Sequence, residues 1–148
     1  MATDTTALQE MESPKPKRLV RYGAATARII LGLLFCFAGL NGLLNFLPAT
    51  PMPERATAFI GAMMSTGYMF QLVAVTQLVS GALFLANRLV PLALALIAPV
   101  VVNIVAFHIF LEPTGLPIGI LVLLMELYLA WAYRKAFRPM LAMRARPE

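Results

Sequence analysis

The sequence predicts an all-α fold: a four-helix transmembrane bundle, both termini cytoplasmic, with a short interfacial helix in the first outer loop. Three observations predict it. Residues 89–111 read LVPLALALIAPVVVNIVAFHIFL, in which only Asn103 and His108 are polar and no residue carries a permanent charge. At ~1.5 Å per residue such a run covers the ~30 Å hydrocarbon core of a bilayer. A second apolar run, residues 118–133, begins only a few residues later, and so short a link makes the two an antiparallel pair. Finally, 60% of the 148 residues are hydrophobic and 13% charged, with a mean hydropathy of +0.79. One soluble core of this size cannot hide that much apolar surface.

Taken in order, residues 1–17 are polar, with Pro14 and Pro16 and little apolar periodicity, and the stretch 1–27 reads as a disordered cytoplasmic tail. Residues 28–138 form the four-span domain, with spans at about 29–47, 68–86, 89–111 and 118–133, and residues 139–148 form a basic cytoplasmic tail. The first span is too long for the apolar region of a signal peptide, and no small-x-small cleavage site follows it. In the outer loop, Ala58, Phe59, Ala62 and Met63 recur at helical spacing, which suits a short helix lying in the interface.

The second span carries Gln71, Thr76, Gln77 and Ser80, an unusual polar load for lipid. Gln77, Ser80, Gly81 and Phe84 share one face, which should point into the bundle, where small residues let another helix approach closely. Asn87 and Arg88 make a tight turn into the third span, in which Pro91 suits the first helical turn and Pro99 kinks the middle. Pro113, Gly115 and Pro117 mark the next link as a turn. Tyr128, Trp131 and Tyr133 form an aromatic belt just before Arg134 and Lys135.

The net charge of +5 is explained by membrane orientation, with no need for nucleic acid. Of the twelve Lys and Arg residues, all but Arg55 lie on one side when both termini are cytoplasmic, as the positive-inside rule requires. The flanking clusters also suit contact with anionic headgroups of the bilayer.

A lone Arg28 before a Gly-rich first span (LLFCFAGLNGLL), a second span running QLVSGALFLANRLVPLALAL into the third, and a short fourth span with a basic tail together resemble the DoxX-like proteins. These are small four-span proteins of bacterial membranes, and the resemblance covers roughly residues 28–138. It implies residence in the bacterial cytoplasmic (inner) membrane. Members of that family are linked to a quinone-reducing thiosulfate oxidation complex, to a membrane complex handling oxidative stress and, more distantly, to chaperoning or sorting membrane cargo. This chain departs from the family pattern in carrying neutral Asn41 and Gly42 where a basic residue is frequent, and neutral Gln77 where an acidic one is.

Counted inward from the outer ends, Asn41, Gln77, Asn103 and Glu126 all lie at similar depth, ~9 to 14 Å at helical rise. They are the candidate intramembrane polar seam. Asn45, Gln71, His108 and Glu112 form a second, outer polar layer, with His108 and Glu112 one turn apart on one face. A carboxyl inside a bilayer is expensive, so Glu126 is either held uncharged or hydrogen-bonded within the bundle. It serves as a proton-accepting or ligand-binding group, or as a structural hydrogen bond. His108 serves a ligand or simply meets water and headgroups. Gln77 and Asn103 act as packing glue, and Arg28 snorkels to the interface.

With Cys36 the only cysteine and His108 the only histidine, thiol-disulfide chemistry by an internal pair and bis-histidine haem ligation are both ruled out. His108 and Glu112 alone are too few for a metal site. The nine methionines fill apolar runs. No catalytic residue is assigned, and three roles remain. The favoured one is a non-catalytic accessory or structural subunit of a membrane assembly, without a cofactor and partnered by the bilayer and other membrane subunits. The alternatives are a quinone-associated subunit of a redox complex, in which His108, Glu126 or Gln77 would bond a quinone carbonyl, and a small proton-linked carrier. The topology has a direct test. Labels placed at either terminus are expected to stay inaccessible to a membrane-impermeant reagent in intact cells and to react after lysis; labelling from outside refutes the orientation.

Overall fold

The computed structural model describes residues 15–48 and 50–137. They form α1 (Lys15–Leu44), α2 (Glu54–Ser65), α3 (Met69–Ala86), α4 (Val90–Phe110), α5 (Leu116–Ala132) and the single turn α6 (Arg134–Phe137), with a 3-10 turn at Pro113–Gly115. Four helical segments, α1, α3, α4 and α5 with the 3-10 turn that leads into it, are long and apolar enough to cross a membrane. They close a ring in which α1 and α4 each pack on both α3 and α5 and face one another across the diagonal. The centre is filled by the wholly buried Leu31 and Phe35 of α1, Phe84 of α3, Ile97 and Val101 of α4, and Leu129 of α5. The outward faces are apolar as well, with Leu33, Phe37, Leu72, Val102, Leu121 and Leu127 all exposed. Soluble monomers rarely present so continuous an apolar surface, whereas lipid is a good solvent for it.

Ring closure begins with α1 and α3, whose backbones touch. A Cβ added at Gly39 would stand 2.6 Å from both the Ala74 carbonyl oxygen and the Leu78 nitrogen. One added at Gly81 would stand 2.6 Å from the Cys36 nitrogen and 2.8 Å from the Gly32 carbonyl oxygen. Only glycine fits at either place. Ser80, Gly81 and Phe84 are buried and Gln77 half-buried, so the face proposed from their spacing does turn inward.

The start of α1 corrects the sequence reading. Residues 15–27, assigned above to a disordered tail, are helical. The reason is contact with α5: Ala24 and Ala27 are buried, and the Tyr128 hydroxyl donates to the Val20 carbonyl oxygen at 3.2 Å. Gly23 makes room for that hydroxyl, since a Cβ there would lie 2.6 Å from it. Residues 1–14 of the expected tail and the basic tail at 139–148 lie outside the described residues.

The other end of α1 also differs, stopping at Leu44 rather than 47. Asn45 takes a left-handed conformation (φ 49°), and the Asn41 side-chain oxygen accepts from the Leu47 nitrogen at 2.9 Å, diverting the chain from the helix. The expected helix in the following loop is α2. Its inward face is the buried Ala56 with the half-buried Ile60 and Met63, so Ala58 and Ala62, proposed as part of the apolar side, face outward. Through Ile60, Met63 and Phe59, α2 covers one end of the bundle.

At the opposite end α3 meets α4 through a very short turn. Asn87 (φ 53°) and Leu89 (φ 50°) are both left-handed, and the nitrogens of Asn87 and Arg88 return to the carbonyls of Phe84 and Leu83, each at 3.1 Å. Arg28 does not simply snorkel: its Nη1 donates to the carbonyl of Phe84 and, at 3.4 Å, to that of Leu85. A cation thus sits on the negative end of α3. α4 continues as one helix through Pro99, which is exposed.

Thermal unfolding in detergent checks the central contact. Gly39→Ala is expected to lower stability by about 1–3 kcal/mol by overpacking. Gly61→Ala, in the interior of α2 with open space around it, is expected to raise it by about 0.5–1 kcal/mol through lost backbone freedom in the unfolded chain. Equal melting of Gly39→Ala and wild type would remove the α1–α3 contact as the determinant of assembly.

Candidate functional site

The polar groups with the most specific geometry gather at the α2 end. α4 finishes its last turn with His108, and the chain then bends at Glu112 into the 3-10 turn. His108 Nδ1 lies 2.9 Å from the Glu112 carbonyl oxygen and 3.0 Å from its Oε2. Both are acceptors, so Nδ1 carries the proton and donates. The same Oε2 accepts from the Gly115 nitrogen at 3.0 Å, which ties the end of α4 to the turn before α5. Gly115 has to lack a side chain, because a Cβ there would run into the His108 ring. Gly119 on α5 gives similar clearance, its Cβ position being 3.3 Å from His108 Cδ2.

The imidazole is therefore fixed in orientation and tautomer, yet 20% of the His108 side chain stays accessible. Nε2 bonds to nothing among the described residues. In the neutral ring Nε2 can accept a hydrogen bond; in the imidazolium it donates one, with the Glu112 carboxylate beside Nδ1 to balance the charge.

His108 also lines a groove of about 170 Å³ with Asn103, Ile104 and Phe107 of α4, Phe59, Ile60 and Met63 of α2, and Phe70 of α3. The Phe59 and Phe107 ring centroids are 5.9 Å apart. The walls are thus aromatic and aliphatic, with an imidazole and a carboxamide as the polar groups. His108 and Glu112, paired above as one turn apart on a helix face, do meet, but Glu112 stands beyond the end of α4 and reaches back from the following turn. The sequence reading missed the aromatic wall, because Phe59, Phe70 and Phe107 come from three helices and share no spacing.

Glu126 stands elsewhere. It is buried, 6% exposed, and faces a cavity of about 250 Å³ between α4 and α5 whose other walls are Leu94, Ala95, Ala98, Val102, Leu123, Leu127, Ala130 and Phe137. No described residue hydrogen-bonds its carboxyl. Ala95 is also the residue whose carbonyl Pro99 leaves without its helical N–H partner.

The four-residue seam is consequently not one cavity. Glu126 and Asn103 line separate spaces, and neither Gln77 nor Asn41 lines either one. Asn103 is exposed and Gln77 half-buried, while Asn41 spends its side-chain oxygen at the end of α1. In the outer layer, Asn45 is the left-handed residue ending α1 and Gln71 is exposed on α3, both apart from the His108–Glu112 pair. Among the described residues, no three His, Cys, Asp or Glu side chains stand close enough together to hold a metal ion.

No family model matches the chain, and neither a curated protein nor a solved structure shows a significant match to it.

The isolation of Glu126 can be measured. Leaving a buried polar group without a partner costs about 1–3 kcal/mol, so Glu126→Leu is expected to unfold at a higher temperature than wild type in detergent. A melting point several degrees lower would mean that the carboxyl is bonded in the folded protein.

Proposed function

We propose that the protein is a multi-pass accessory subunit of the bacterial inner membrane, DoxX-like in kind, with both termini in the cytoplasm. Its role is to hold the ring of a quinone-class ligand beside His108 for a partner subunit that transfers the electrons. The multi-pass part rests on four apolar helices, and the orientation on the placement of nearly all basic residues at one end. The bacterial setting and the accessory role rest on the resemblance of the Gly-rich first span and the QLVSGALFLANRL segment.

One observation carries the ligand reading: the oriented His108–Glu112 pair, with Nε2 accessible, at an aromatic groove that also contains Asn103. A quinone ring is flat and apolar with carbonyls at opposite edges, and its reduced form carries hydroxyls there. Phenyl walls suit the faces. A hydroxyl finds an acceptor in neutral Nε2, and a carbonyl finds a donor in the imidazolium or in the Asn103 amide. The groove is smaller than the ~300–1,000 Å³ of sites that enclose a drug-sized ligand. It therefore suits a ring alone, with the apolar tail of the ligand running out along the exposed helix faces into lipid.

The test is purification in mild detergent followed by solvent extraction and chromatography of bound quinone, with native mass spectrometry for a partner. Wild type is expected to carry quinone. His108→Ala and Gly115→Ala are expected to lose most of it, the second by displacing the ring without removing a polar group, and Gly61→Ala to keep it. Wild-type protein free of quinone, or equal quinone in all three variants, would refute the ligand assignment.

A further inference from the structure

At the end of the bundle opposite His108, α3 stops at Ala86 while α1 runs on past it. Arg28 is level with the last carbonyls of α3, and the next two turns of α1, back to Arg21, have no α3 beside them. They face the end of α5 instead, where Tyr128 reaches Val20. The space a longer α3 would fill is a recess of about 450 Å³, within the ~300–1,000 Å³ range of small-molecule sites. Ala24 and Ala25 make its floor, and Arg21, Arg28, Asn87 and Tyr133 bring its polar groups.

Those groups are donors. Arg28 Nη1 is anchored on the Phe84 carbonyl, which orients the guanidinium and leaves Nε and Nη2 without partners among the described residues. Arg21 is exposed one face-repeat away on the same side of α1. The Asn87 side-chain oxygen accepts from the Tyr133 hydroxyl at 3.5 Å, so its amide N–H groups remain to donate. Among the described residues the acidic side chains lie elsewhere: Glu54 and Glu112 at the α2 end, and Glu126 in the cavity between α4 and α5.

A second observation fixes the depth of the recess. Tyr128 and Trp131 stack with centroids 6.1 Å apart, and the Arg134 guanidinium lies 4.6 Å over the Trp131 ring. Aromatic rings with a cation above them mark the headgroup level of a bilayer. We propose that this recess binds the phosphate of an anionic phospholipid, with Arg21, Arg28 and the Asn87 amide as its donors. Guanidinium forks and an amide suit phosphate oxygens, and basic pockets between transmembrane helices at headgroup depth take anionic lipid in this way. The same donors would take the phosphate of a soluble ester, so the source is decided by experiment.

Purified protein in neutral detergent is titrated with phosphatidylglycerol, phosphatidylcholine or inorganic phosphate, and binding is read by native mass spectrometry and by the shift in melting temperature. Phosphatidylglycerol is expected to bind and raise the melting temperature, and phosphatidylcholine to do so far less. Arg21→Gln and Asn87→Asp are expected to weaken phosphatidylglycerol binding at least about tenfold, since each removes or reverses a charge-assisted contact. Arg88→Gln alters net charge as Arg21→Gln does, lies outside the recess and is expected to bind as wild type. Arg28→Gln is avoided as the main test because it also uncaps α3. Equal binding of the two lipids, or wild-type binding by Arg21→Gln and Asn87→Asp, would overturn the proposal. Inorganic phosphate as effective as phosphatidylglycerol would overturn the lipid assignment in favour of a soluble phosphate ester.

Discussion

The backbone contact between α1 and α3 is the constraint on which the rest of the molecule depends. Lipid tails are as apolar as leucine, so no hydrophobic force drives helices together inside a bilayer. Packing must supply the energy, and it does so best where backbones approach closely. Gly32, Gly39 and Gly81 allow that approach, and Arg28 bonds across the same interface to the end of α3. With this pair fixed, α4 follows α3 through a turn only a few residues long, and α5 closes the ring by packing on both α1 and α4. Each cavity described above is a place where that ring is incompletely filled.

The polar groups divide accordingly. Those bonded to other groups lie at helix ends: Asn41 and Asn45 finish α1, Glu112 joins α4 to the next turn, and Asn87 and Arg28 finish α3. In mid-helix positions Thr76 bonds back to the Leu72 carbonyl at 2.8 Å, whereas the Ser80 hydroxyl is wholly buried without a partner among the described residues. Ser80 adjoins Gly81, the small residue on which α1 closes. The bundle thus keeps most of its hydrogen-bonding chemistry at its two ends and leaves Ser80 and Glu126 as the buried exceptions among the described residues.

Much of this was legible in the sequence, because spans are a one-dimensional signal. An uncharged run of sufficient length is apolar whichever way it faces, and each of the four runs became a helix within a few residues of its expected bounds, the start of α1 excepted. That start was hidden because Arg18, Arg21 and Arg28 break the apolar run while Ala24, Ala25 and Ala27 keep the helix going. The candidate seam failed as a single cavity for a related reason. Depth is read from residue count, but direction around the helix advances about 100° per residue. Asn103 and Glu126 share a depth and still face different spaces. The pair His108–Glu112 was found because only four residues separate them, although Glu112 lies past the end of α4 and the turn, rather than a shared helix face, brings its carboxyl back to the ring. The spacing of Arg21, Ala24, Ala25 and Arg28 was a signal available on one helix, but its meaning needed the length of α3.

The left-handed turn from Asn87 to Leu89 also determines where the chain can change length during evolution or engineering. One residue inserted there would have to fit a turn whose Asn87 and Arg88 nitrogens already return to the carbonyls of Phe84 and Leu83, and one inserted in the first turn of α4 would rotate the rest of that helix by about 100° and swing Ile97 and Val101 out of the centre. The segment around α2 is different, since it lies outside the ring and only covers one end. Insertions and deletions should therefore accumulate between α1 and α3 and be nearly absent between α3 and α4, a length record that any set of homologous chains would display without reference to residue identity.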